Sequence, residues 1–574
     1  MAQNPDAGPL KRALDECRPL FAGALVFSLV INLLGLAVPI YSMQVFDRVL
    51  SSSSRETLMM LSLIVVGAVV FSGLLTALRS TVFAQISRWL DDRLSGEVVH
   101  KTIALSLKRP NIGAQPLRDL GAIRGFIASP TLGSILDAPW AVLFFIALFM
   151  INTTIGLVVA GASLVLLGLA IVAQRAPSKL QAASGDAQVK SMQAFEAVVR
   201  NAEVVQAMGM GDTATRAWRK HNDANLEKSY EAGNLATVIS NSTKTFRMGL
   251  QILVTGLGAW LVIHGQMSMG AIIAVNMLTG KALAPFDAAV AIYQGWTNVK
   301  KAHGRLEAVF EYDQKTTDKL ELPQPQGALS AMSIGYQDPT SKRWLLKQVS
   351  LDAPAGSAVG VIGPSGSGKT TLSRLLVGVL SPSKGRVNLD GAGLDQWRAD
   401  QLAPAIGYLP QDIELFGGTI AENIARMDDQ AEDDAIVEAA QLAQVHDFIV
   451  SLPEGYQTDI GERGAALSAG QRQRIGLARC FYGTPKVVVL DEPNSNLDTQ
   501  GENALVQALL NAKERGITTL MVTHRPALLQ HVDQIVVLKD GEVALNGTAQ
   551  EVLAKLSGQN NKDIRPLRRK QGAA

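Results

Sequence analysis

Long apolar runs fill the first half of the chain and are rare in the second half. Residues 20–40 and 58–78 carry no charged side chain. Each run is long enough to cross a hydrocarbon core of about 30 Å as a helix. These two segments therefore predict membrane-spanning helices.

Four further apolar runs are shorter or interrupted, and they lie at residues 138–151, 155–173, 248–263 and 269–293. The first two are separated only by the uncharged residues 152–154, so they predict a helical hairpin. The run 138–151 is short for a span unless it begins near Thr131. The last run is interrupted by Lys281, Pro285 and Asp287. We therefore predict six spans.

Basic residues are concentrated before the first span and in two long connections, residues 79–137 and 175–247. The other loops carry basic residues only at Arg48 and Arg55. By the positive-inside rule, the termini and both long connections lie in the cytoplasm. A signal peptide is the alternative interpretation of the first span, but the run exceeds a normal signal core and no small-residue cleavage site follows it.

Both long connections predict helices that extend the spans into the cytoplasm, because residues 178–231 contain helix-forming residues and no proline. Two stretches, residues 110–119 and 195–208, are candidate contact elements for a domain below the membrane. In the first, Pro110, Gly113 and Pro116 predict a break between two helices. Ordinary surface turns are the alternative interpretation of both.

Lys281 lies within the last apolar run. A cation inside a membrane is costly unless it faces water or a partner, so Lys281 is a candidate for a transport path. The alternative is a shifted span that leaves Lys281 near the interface. Pro285 predicts a kink, since proline removes a helical N–H group.

The second half contains the pattern G-x-x-x-x-G-K-[ST] between a predicted strand, residues 358–362, and a predicted helix, residues 371–380. This order of elements is the one in which a phosphate-binding loop occurs. The predicted nucleotide contacts are Gly363, Pro364, Ser365, Gly366, Ser367, Gly368, Lys369, Thr370 and Thr371.

The chemistry of each loop residue follows from its type. Glycines let backbone N–H groups converge on phosphate oxygens, and the positive end of the following helix faces the same anion. Lys369 is expected to reach the β- and γ-phosphates of ATP, and the Thr370 hydroxyl to bind Mg²⁺. A Gly/Ser-rich turn that matches by chance is the alternative.

Four later polar residues complete this site in the prediction. Asp491 ends a predicted strand, residues 486–490, and is expected to bind Mg²⁺, while Glu492 is placed to activate a water as general base. The Gln411 amide is expected to reach Mg²⁺ or that water. His524 follows the predicted strand 518–522 and is expected to hydrogen-bond the γ-phosphate. Each alone could be a surface acid, a loop amide or a strand-end histidine.

Composition agrees with a membrane protein of several domains. The chain has 574 residues, 47% of them hydrophobic, with a mean hydropathy of +0.16. A net charge of +2 argues against a nucleic-acid binder. The two cysteines, Cys17 and Cys480, are too far apart in sequence to predict a disulfide framework or a cysteine metal site, and we expect free thiols.

The predicted organisation is a short cytoplasmic segment (1–19), a transmembrane domain (20–312), a linker (313–328), a soluble α/β domain (329–556) and a basic tail (557–574). The linker is placed where apolar periodicity stops and prolines appear. The tail is most simply a disordered basic end, with contact to anionic lipid as the alternative.

The stretch Leu467-Ser468-Ala469-Gly470-Gln471, in this order with the other motifs, resembles the signature of the ATP-binding cassette family, whose usual form is L-S-G-G-Q. The resemblance implies that Ser468, Gly470 and Gln471 contact ATP held by the loop of a second copy. Because one chain has one loop and one signature, two complete sites then require a homodimer. It also implies that Tyr336 stacks on adenine, with Trp344 as a competing candidate. Ala469 departs from the usual glycine, which predicts somewhat lower turnover.

Six spans followed by this domain resemble half of an exporter. The predicted fold is thus an all-α, six-helix transmembrane domain of exporter type followed by an α/β P-loop nucleotide-binding domain. Further stretches resemble type I secretion ATPases of Gram-negative bacteria, especially the protease/lipase exporter branch: PIYSMQVFDRVL (39–50), LRDL (117–120), LDAPW (136–140), RNAEVVQAMGM (200–210) and PNSNLD (493–498).

That resemblance implies ATP-driven export of a polypeptide with a C-terminal secretion signal across the inner membrane, with the nucleotide-binding domain in the cytoplasm. It further implies a periplasmic adaptor (membrane fusion protein) and an outer-membrane channel as partners, and no nucleic acid. Only about twenty residues precede the first span, so no N-terminal peptidase-like domain is expected. The alternatives are an exporter of lipids or small hydrophobic molecules and a soluble DNA-repair ATPase.

Overall fold

The computed structural model describes residues 8–107, 112–312, 321–339 and 341–558. It describes the backbone alone at residues 170, 172–182, 186, 236, 239, 240, 287, 289–291, 294 and 463. Contacts divide the chain into two compact units, Met1–Gln314 and Lys315–Ala574. The first unit is helical and the second is α/β. The basic-tail prediction falls almost wholly outside the described residues, and so does the first half of the predicted linker.

The helices of the first unit are α1 (Pro9–Glu16), α2 (Arg18–Leu34), α3 (Ala37–Gln44), α4 (Leu50–Ser52), α5 (Arg55–Ser106), α6 (Gln115–Ile127), α7 (Pro130–Asp137), α8 (Ala141–Ile151), α9 (Thr153–Arg200), α10 (Ala202–Ala207), α11 (Gly211–Ile263) and α12 (Met269–Phe310). A π-helical segment, Val45–Val49, joins α3 to α4, and a 3₁₀ turn, Ala138–Trp140, joins α7 to α8.

Five helical segments are long and apolar enough to cross a membrane: Arg18–Ser52, Arg55–Ser106, Pro130–Ile151, Asn241–Ile263 and Met269–Phe286. A shorter apolar segment, Thr153–Leu169, begins α9. Within the part of the chain that the structure describes, these segments overlap the six predicted runs. The count of six spans stays a prediction, because the fourth run reaches only Leu169 where side chains are described.

The long connections are helical, as predicted. Helix α5 has 52 residues and α11 has 53, so each is roughly 80 Å long at 1.5 Å per residue, far more than a bilayer core requires. Helix α9 ends at Arg200 and the short α10 follows, so the helix is interrupted within residues 195–208, where the sequence predicted a contact element but no break. Pro110, in the other predicted contact element, lies outside the described residues.

The first span differs from its prediction as a single run over residues 20–40. Helix α2 ends at Leu34, and the helical path continues through α3 and the π segment to Ser52. At the interruption, a methyl group on Gly35 would lie 3.1 Å from the Lys281 Nζ atom. The break therefore occurs where α2 and α12 approach closely.

Asp47 in the π segment caps α12. Its carboxylate accepts hydrogen bonds from the Gly270 N–H group at 2.8 Å and the Ser268 hydroxyl at 2.5 Å. A methyl group on Gly270 would lie 2.7 Å from the Asp47 Oδ1 atom, so only glycine fits there. A carboxylate at a helix N-terminus is stabilised by the free N–H groups and by the helix dipole.

The start of the third span and the path of α12 through Pro285 can also be compared with their predictions. The third run begins at Pro130, upstream of residue 138, because α7 and the 3₁₀ turn extend α8 toward its N-terminus. Helix α12 continues through Pro285, and the kink at this proline stays a prediction.

A buried ion pair joins α6 to α12. The Arg305 guanidinium donates two hydrogen bonds to the Asp119 carboxylate, at 2.7 and 2.6 Å, and Gln115 donates a third at 2.9 Å. Asp119 is buried, while about half of the Arg305 side chain is exposed. Leu120 and Leu306 lie in the neighbouring apolar cluster, so the ion pair fixes the contact between these two helices.

The second unit contains β1 (Leu329–Gln337), β2 (Trp344–Ala353), β3 (Ala358–Ile362), α13 (Lys369–Leu376), β4 (Lys384–Leu389), β5 (Ala392–Gly393), α14 (Ala399–Ala405), β6 (Ile406–Leu409), α15 (Ile420–Ile424), α16 (Asp433–Leu442), α17 (His446–Val450), α18 (Ala469–Phe481), β7 (Val487–Asp491), α19 (Thr499–Glu514), β8 (Thr518–Val522), α20 (Pro526–Leu529), β9 (Gln534–Lys539), β10 (Glu542–Thr548) and α21 (Ala549–Gly558).

These strands form two sheets. The smaller sheet is antiparallel, with the order β2-β1-β4-β5, and the larger has the order β10-β9-β3-β8-β7-β6. From β9 to β6 the strands of the larger sheet are parallel. Strand β7 is buried on both faces, since Val487 and Val489 pack in one apolar cluster while Val488 and Leu490 pack in another. This burial explains its continuous apolar sequence.

Two predicted bounds in this unit need correction. The helix after the phosphate loop ends at Leu376, not residue 380, because Gly378 takes a left-handed φ of +77° that stops helical hydrogen bonding. Strand β7 lies one residue later than predicted, so Asp491 is its last residue.

Asp119→Ala should destabilise the protein by about 2 kcal/mol, because it removes three hydrogen bonds and leaves Arg305 without its carboxylate partner. Asp92→Ala is the matched control, since Asp92 is exposed and its pair with Arg88 spans 4.0 Å; it should change stability by less than about 0.5 kcal/mol. Thermal unfolding of the purified protein measures both. Equal effects of the two substitutions would contradict the structural role of the pair.

Candidate functional site

Four neighbouring strands of the larger sheet end at one edge and carry the predicted site residues. Strands β3, β8, β7 and β6 are adjacent and parallel. The phosphate loop follows β3, His524 follows β8, Asp491 ends β7, and Gln411 follows β6. Because carboxyl ends of parallel strands meet at one edge, residues up to 160 positions apart in sequence converge there.

The phosphate loop requires glycine at two positions. A methyl group on Gly363 would collide with the Leu538 carbonyl oxygen of β9. Gly368 has a φ of +97°, and a methyl group there would lie 2.6 Å from the Leu346 side chain. The loop backbone therefore packs closely against β9 and Leu346 on one side. Pro364, Ser365 and Gly366 are exposed.

Lys369 begins α13 and folds back over the loop. Its Nζ atom donates hydrogen bonds to the carbonyl oxygens of Gly363, at 2.8 Å, and Pro364, at 3.0 Å. Burial lowers the pKa of Lys369, and the negative charges of Glu492 and Asp491 act in the opposite direction. An ammonium group held in this position can bind phosphate oxygens that reach the loop.

Asp491 presents unused oxygen ligands. It is buried, and among the described residues neither carboxylate oxygen has a hydrogen-bond partner. Burial raises the pKa of Asp491. The Thr370 hydroxyl is close enough to favour the charged form of Asp491, although the two groups do not form a hydrogen bond. The buried Ser367 hydroxyl likewise lacks a partner among the described residues.

These oxygens fit a magnesium ion. Mg²⁺ prefers carboxylate and hydroxyl oxygens together with phosphate oxygens and waters. A buried carboxylate without a partner is costly, and a bound cation would offset that cost. Asp491 and Thr370 are the residues that would hold the ion.

Glu492 is the centre of a polar cluster. Its Oε2 atom accepts a hydrogen bond from Gln411 Nε2 at 3.1 Å, and its Oε1 atom lies 3.5 Å from His524 Nε2. The structure thus brings together Glu492, the predicted general base, Gln411, predicted to reach Mg²⁺ or the water, and His524, predicted to bind the γ-phosphate. Glu492 also has a left-handed φ of +52°, an uncommon conformation for a non-glycine residue.

Gln473 fixes this strained residue, and the sequence analysis missed it. Its side chain donates a hydrogen bond to the Glu492 carbonyl oxygen at 3.3 Å and accepts one from the Asn496 N–H group at 3.1 Å. It is buried in α18 and links that helix to the end of β7. The available signal was its helical spacing from Leu477 and Cys480, which places a glutamine on the apolar face.

The signature stretch forms the start of α18. Ser468 is the N-cap: its hydroxyl accepts from the Gln471 N–H group at 3.2 Å, and the Gln471 side chain accepts from the Ser468 N–H group at 2.8 Å. This reciprocal capping box fixes the helix start. Gly470 packs so closely that a methyl group would lie 2.9 Å from the Asn496 carbonyl oxygen. Ala469 is exposed and has no left-handed φ, so its methyl group meets no backbone strain.

The two candidates for adenine stacking lie on neighbouring strands. Tyr336 in β1 is half-buried and pairs across the sheet with Leu346, and burial raises the pKa of its hydroxyl. Trp344 begins β2, where Lys384 lies 5.3 Å from its ring. Trp344 also packs on Gly335. Its ring is thus already engaged, and stacking by Tyr336 stays a prediction.

Comparison with known proteins agrees with this arrangement. The family model for the ABC transporter transmembrane region matches residues 21–285, and the model for the ABC transporter matches residues 346–495. The solved structure of a bacterial Atm1-family ABC exporter with ATP bound superposes with a TM-score of 0.80 at 22% identity, over 95% of this chain and 99% of that one. This superposition shows the fold.

Curated relatives match over nearly the full length. The type I secretion system ATP-binding protein PrsD of Rhizobium meliloti (strain 1021) is 38% identical over 549 residues, covering 95% of this chain and 94% of the relative. The leukotoxin translocation ATP-binding protein LktB of Mannheimia haemolytica is 30% identical over 95% of this chain and 78% of its own length.

The family models cover both halves of the chain, and a full-length relative exceeds 30% identity. With a helical transmembrane domain followed by an α/β nucleotide-binding domain, this chain belongs to the ABC transporter family, in the group of the type I secretion ATP-binding proteins.

Proposed function

We propose that the protein uses ATP hydrolysis to export polypeptides with a C-terminal secretion signal across the bacterial inner membrane. The observation that carries this proposal is the 38% identity with a type I secretion protein along 95% of the chain. That similarity includes the membrane domain, through which a cargo would pass. Family membership alone would give a transporter without a cargo class.

The site geometry supports specific roles in ATP hydrolysis. The loop of residues 363–371 holds the phosphates, with Lys369 on the β- and γ-phosphates, and Tyr336 stacks on adenine. Asp491 and Thr370, with the Gln411 amide, would hold Mg²⁺. When bound, this ion neutralises phosphate charge and orients the phosphates for attack.

Glu492 acts as general base in this proposal. Its carboxylate lies between Gln411 and His524, so one neighbour can orient the attacking water while the other hydrogen-bonds the γ-phosphate. The backbone of Glu492 is held by Gln473 and by a hydrogen bond from its own N–H group to the Val522 carbonyl oxygen at 2.9 Å. A base fixed in this way needs little rearrangement when ATP binds.

The signature residues complete the site of a second copy. Ser468, Gly470 and Gln471 form a capped helix start, where N–H groups and a hydroxyl form an anion site. Closure of two nucleotide-binding domains around two ATP molecules would drive the membrane domains from inward- to outward-open. A homodimer is therefore the active unit.

The remaining assignments follow from the type I secretion relatives. The protein would be a multi-pass inner-membrane protein with its nucleotide-binding domain in the cytoplasm. Its partners would be a periplasmic adaptor (membrane fusion protein) and an outer-membrane channel, which continue the path of the polypeptide. Export of lipids or small hydrophobic molecules is the outcome that would replace this proposal.

Glu492→Gln should bind ATP but lower turnover by about a hundredfold or more, because the amide cannot accept the proton of the attacking water. Lys369→Ala should instead weaken ATP binding, since it removes the cation on the phosphates. Measurements of nucleotide affinity and phosphate release separate the two effects. Glu514→Gln, on the exposed end of α19, is the control. Normal turnover by Glu492→Gln would disprove the assignment of the base.

Ser365→Cys combined with Ala469→Cys should form covalent dimers when ATP is added in the Glu492→Gln background. Both positions are exposed, and head-to-tail closure would bring each against the other in the partner copy. The native thiols should not interfere, because Cys17 and Cys480 are buried and burial raises the pKa of Cys480 to about 12. Each single cysteine variant is a control. Equal cross-linking without ATP would contradict nucleotide-driven closure.

A polypeptide encoded beside this chain in its genome, with its C-terminal region intact, should change the ATPase rate of the reconstituted full-length protein. The same polypeptide with that region deleted should not, because the proposed signal is C-terminal. Phosphate release in lipid nanodiscs measures both, alongside a panel of lipids and small hydrophobic compounds. Stimulation by that panel alone would replace polypeptide export with the alternative.

A further inference from the structure

A polar cavity of about 190 Å³ lies inside the membrane domain. Its lining includes Asn32, Ser134, Asp137, Phe144, Lys281 and Pro285. These residues come from α2, α7, α8 and α12, and all lie within the segments Arg18–Ser52, Pro130–Ile151 and Met269–Phe286 that are apolar enough to cross a membrane. Charged groups at such depth usually mark a functional path.

The carboxylate of the cavity is already neutralised. Asp137 accepts hydrogen bonds from Arg79 at 2.6 and 3.3 Å, and from Asn32 at 3.1 Å. Arg79 is buried and also donates to the Ser28 hydroxyl at 2.6 Å. Arg79 and Asp137 thus form a hydrogen-bonded pair without net charge.

Lys281 is the remaining charge. Among the described residues its ammonium group has no ion-pair or hydrogen-bond partner, and the nearest aromatic contact is the Phe144 ring, 5.7 Å from the Nζ atom. Pro285 stands four residues later and has no N–H group, so it cannot donate to the Lys281 carbonyl oxygen. The cavity therefore lies where the hydrogen-bond ladder of α12 is interrupted. Because Asp137 is paired with Arg79, Lys281 is the unpaired charge among the described side chains of the lining.

We propose that this cavity binds a carboxylate group of the exported polypeptide, with Lys281 as the cation that recognises it. This inference rests on the proposed polypeptide export. The Lys281 side chain is exposed, so an anion that enters the cavity can reach it. In a membrane-spanning segment, such an anion would supply the partner that Lys281 lacks. The cavity is smaller than the pockets that enclose drug-sized ligands, but an aspartate or glutamate side chain fits it.

The test uses the full-length protein in nanodiscs of zwitterionic lipid, without nucleotide. Two fluorescent Gly/Ser-rich peptides of one sequence serve as probes, one carrying aspartates and the other asparagines at the same positions. Wild type should bind the aspartate peptide more tightly. Lys281→Gln should weaken its binding about tenfold and leave the asparagine peptide unaffected, while Lys281→Arg should retain the preference. Lys300→Gln, exposed on the same helix, is the matched control.

The outcomes separate the two proposals. If wild type binds both peptides equally, or Lys281→Gln keeps the preference for aspartate, the carboxylate site is wrong while polypeptide export stands. If Lys281→Gln weakens both peptides alike, the lysine has a structural role and the site is wrong. If wild type binds neither peptide and its ATPase responds only to lipids, polypeptide export itself fails. A further sample contains an anionic phospholipid in the nanodiscs. If wild type binds neither peptide but binds this lipid, and Lys281→Gln loses that binding, the cavity takes a lipid headgroup and the carboxylate site is wrong.

Discussion

The parallel pairing of β3, β8, β7 and β6 is the constraint on which the nucleotide site depends. Each strand contributes a different functional group at its carboxyl end, and the hydrogen-bonded register sets their spacing. One face of these strands packs on helices and the other on α13 and the smaller sheet. Burial of both faces explains their uninterrupted apolar sequences. Burial of the sheet and chemistry at its edge are therefore two results of one arrangement.

Burial also sets the electrostatics at this edge. Asp491 is removed from water and lacks a partner among the described residues, while Lys369 binds backbone carbonyl oxygens. Both groups are held in environments that disfavour their charged forms, as the opposite directions of their pKa shifts show. A magnesium nucleotide carries both the cation that Asp491 lacks and the anions that Lys369 lacks, so the free protein is prepared for that ligand.

Sequence patterns predicted the parts of the fold that depend on local chemistry. The strand, loop and helix around residues 358–376 could be predicted because glycine spacing and apolar runs are local properties. Helical spacing could indicate that Gln473 is buried, but not its role, because that role depends on contact with Glu492, which lies 19 residues away. The cap by Asp47 was missed for the same reason, since its partner Gly270 lies on α12, more than 200 positions along the chain.

The capping box at Ser468 has a consequence for how variants of the signature are interpreted. The Ser468 hydroxyl oxygen accepts a hydrogen bond from the Gln471 N–H group, and the hydroxyl proton remains available to donate to a phosphate oxygen. An alanine there would remove both interactions at once and also loosen the first turn of α18, to which Gln473 belongs. Loss of activity in the alanine variant could therefore come from fraying of the helix as well as from the missing ligand contact. A threonine variant would keep the hydroxyl and so help to separate these two effects.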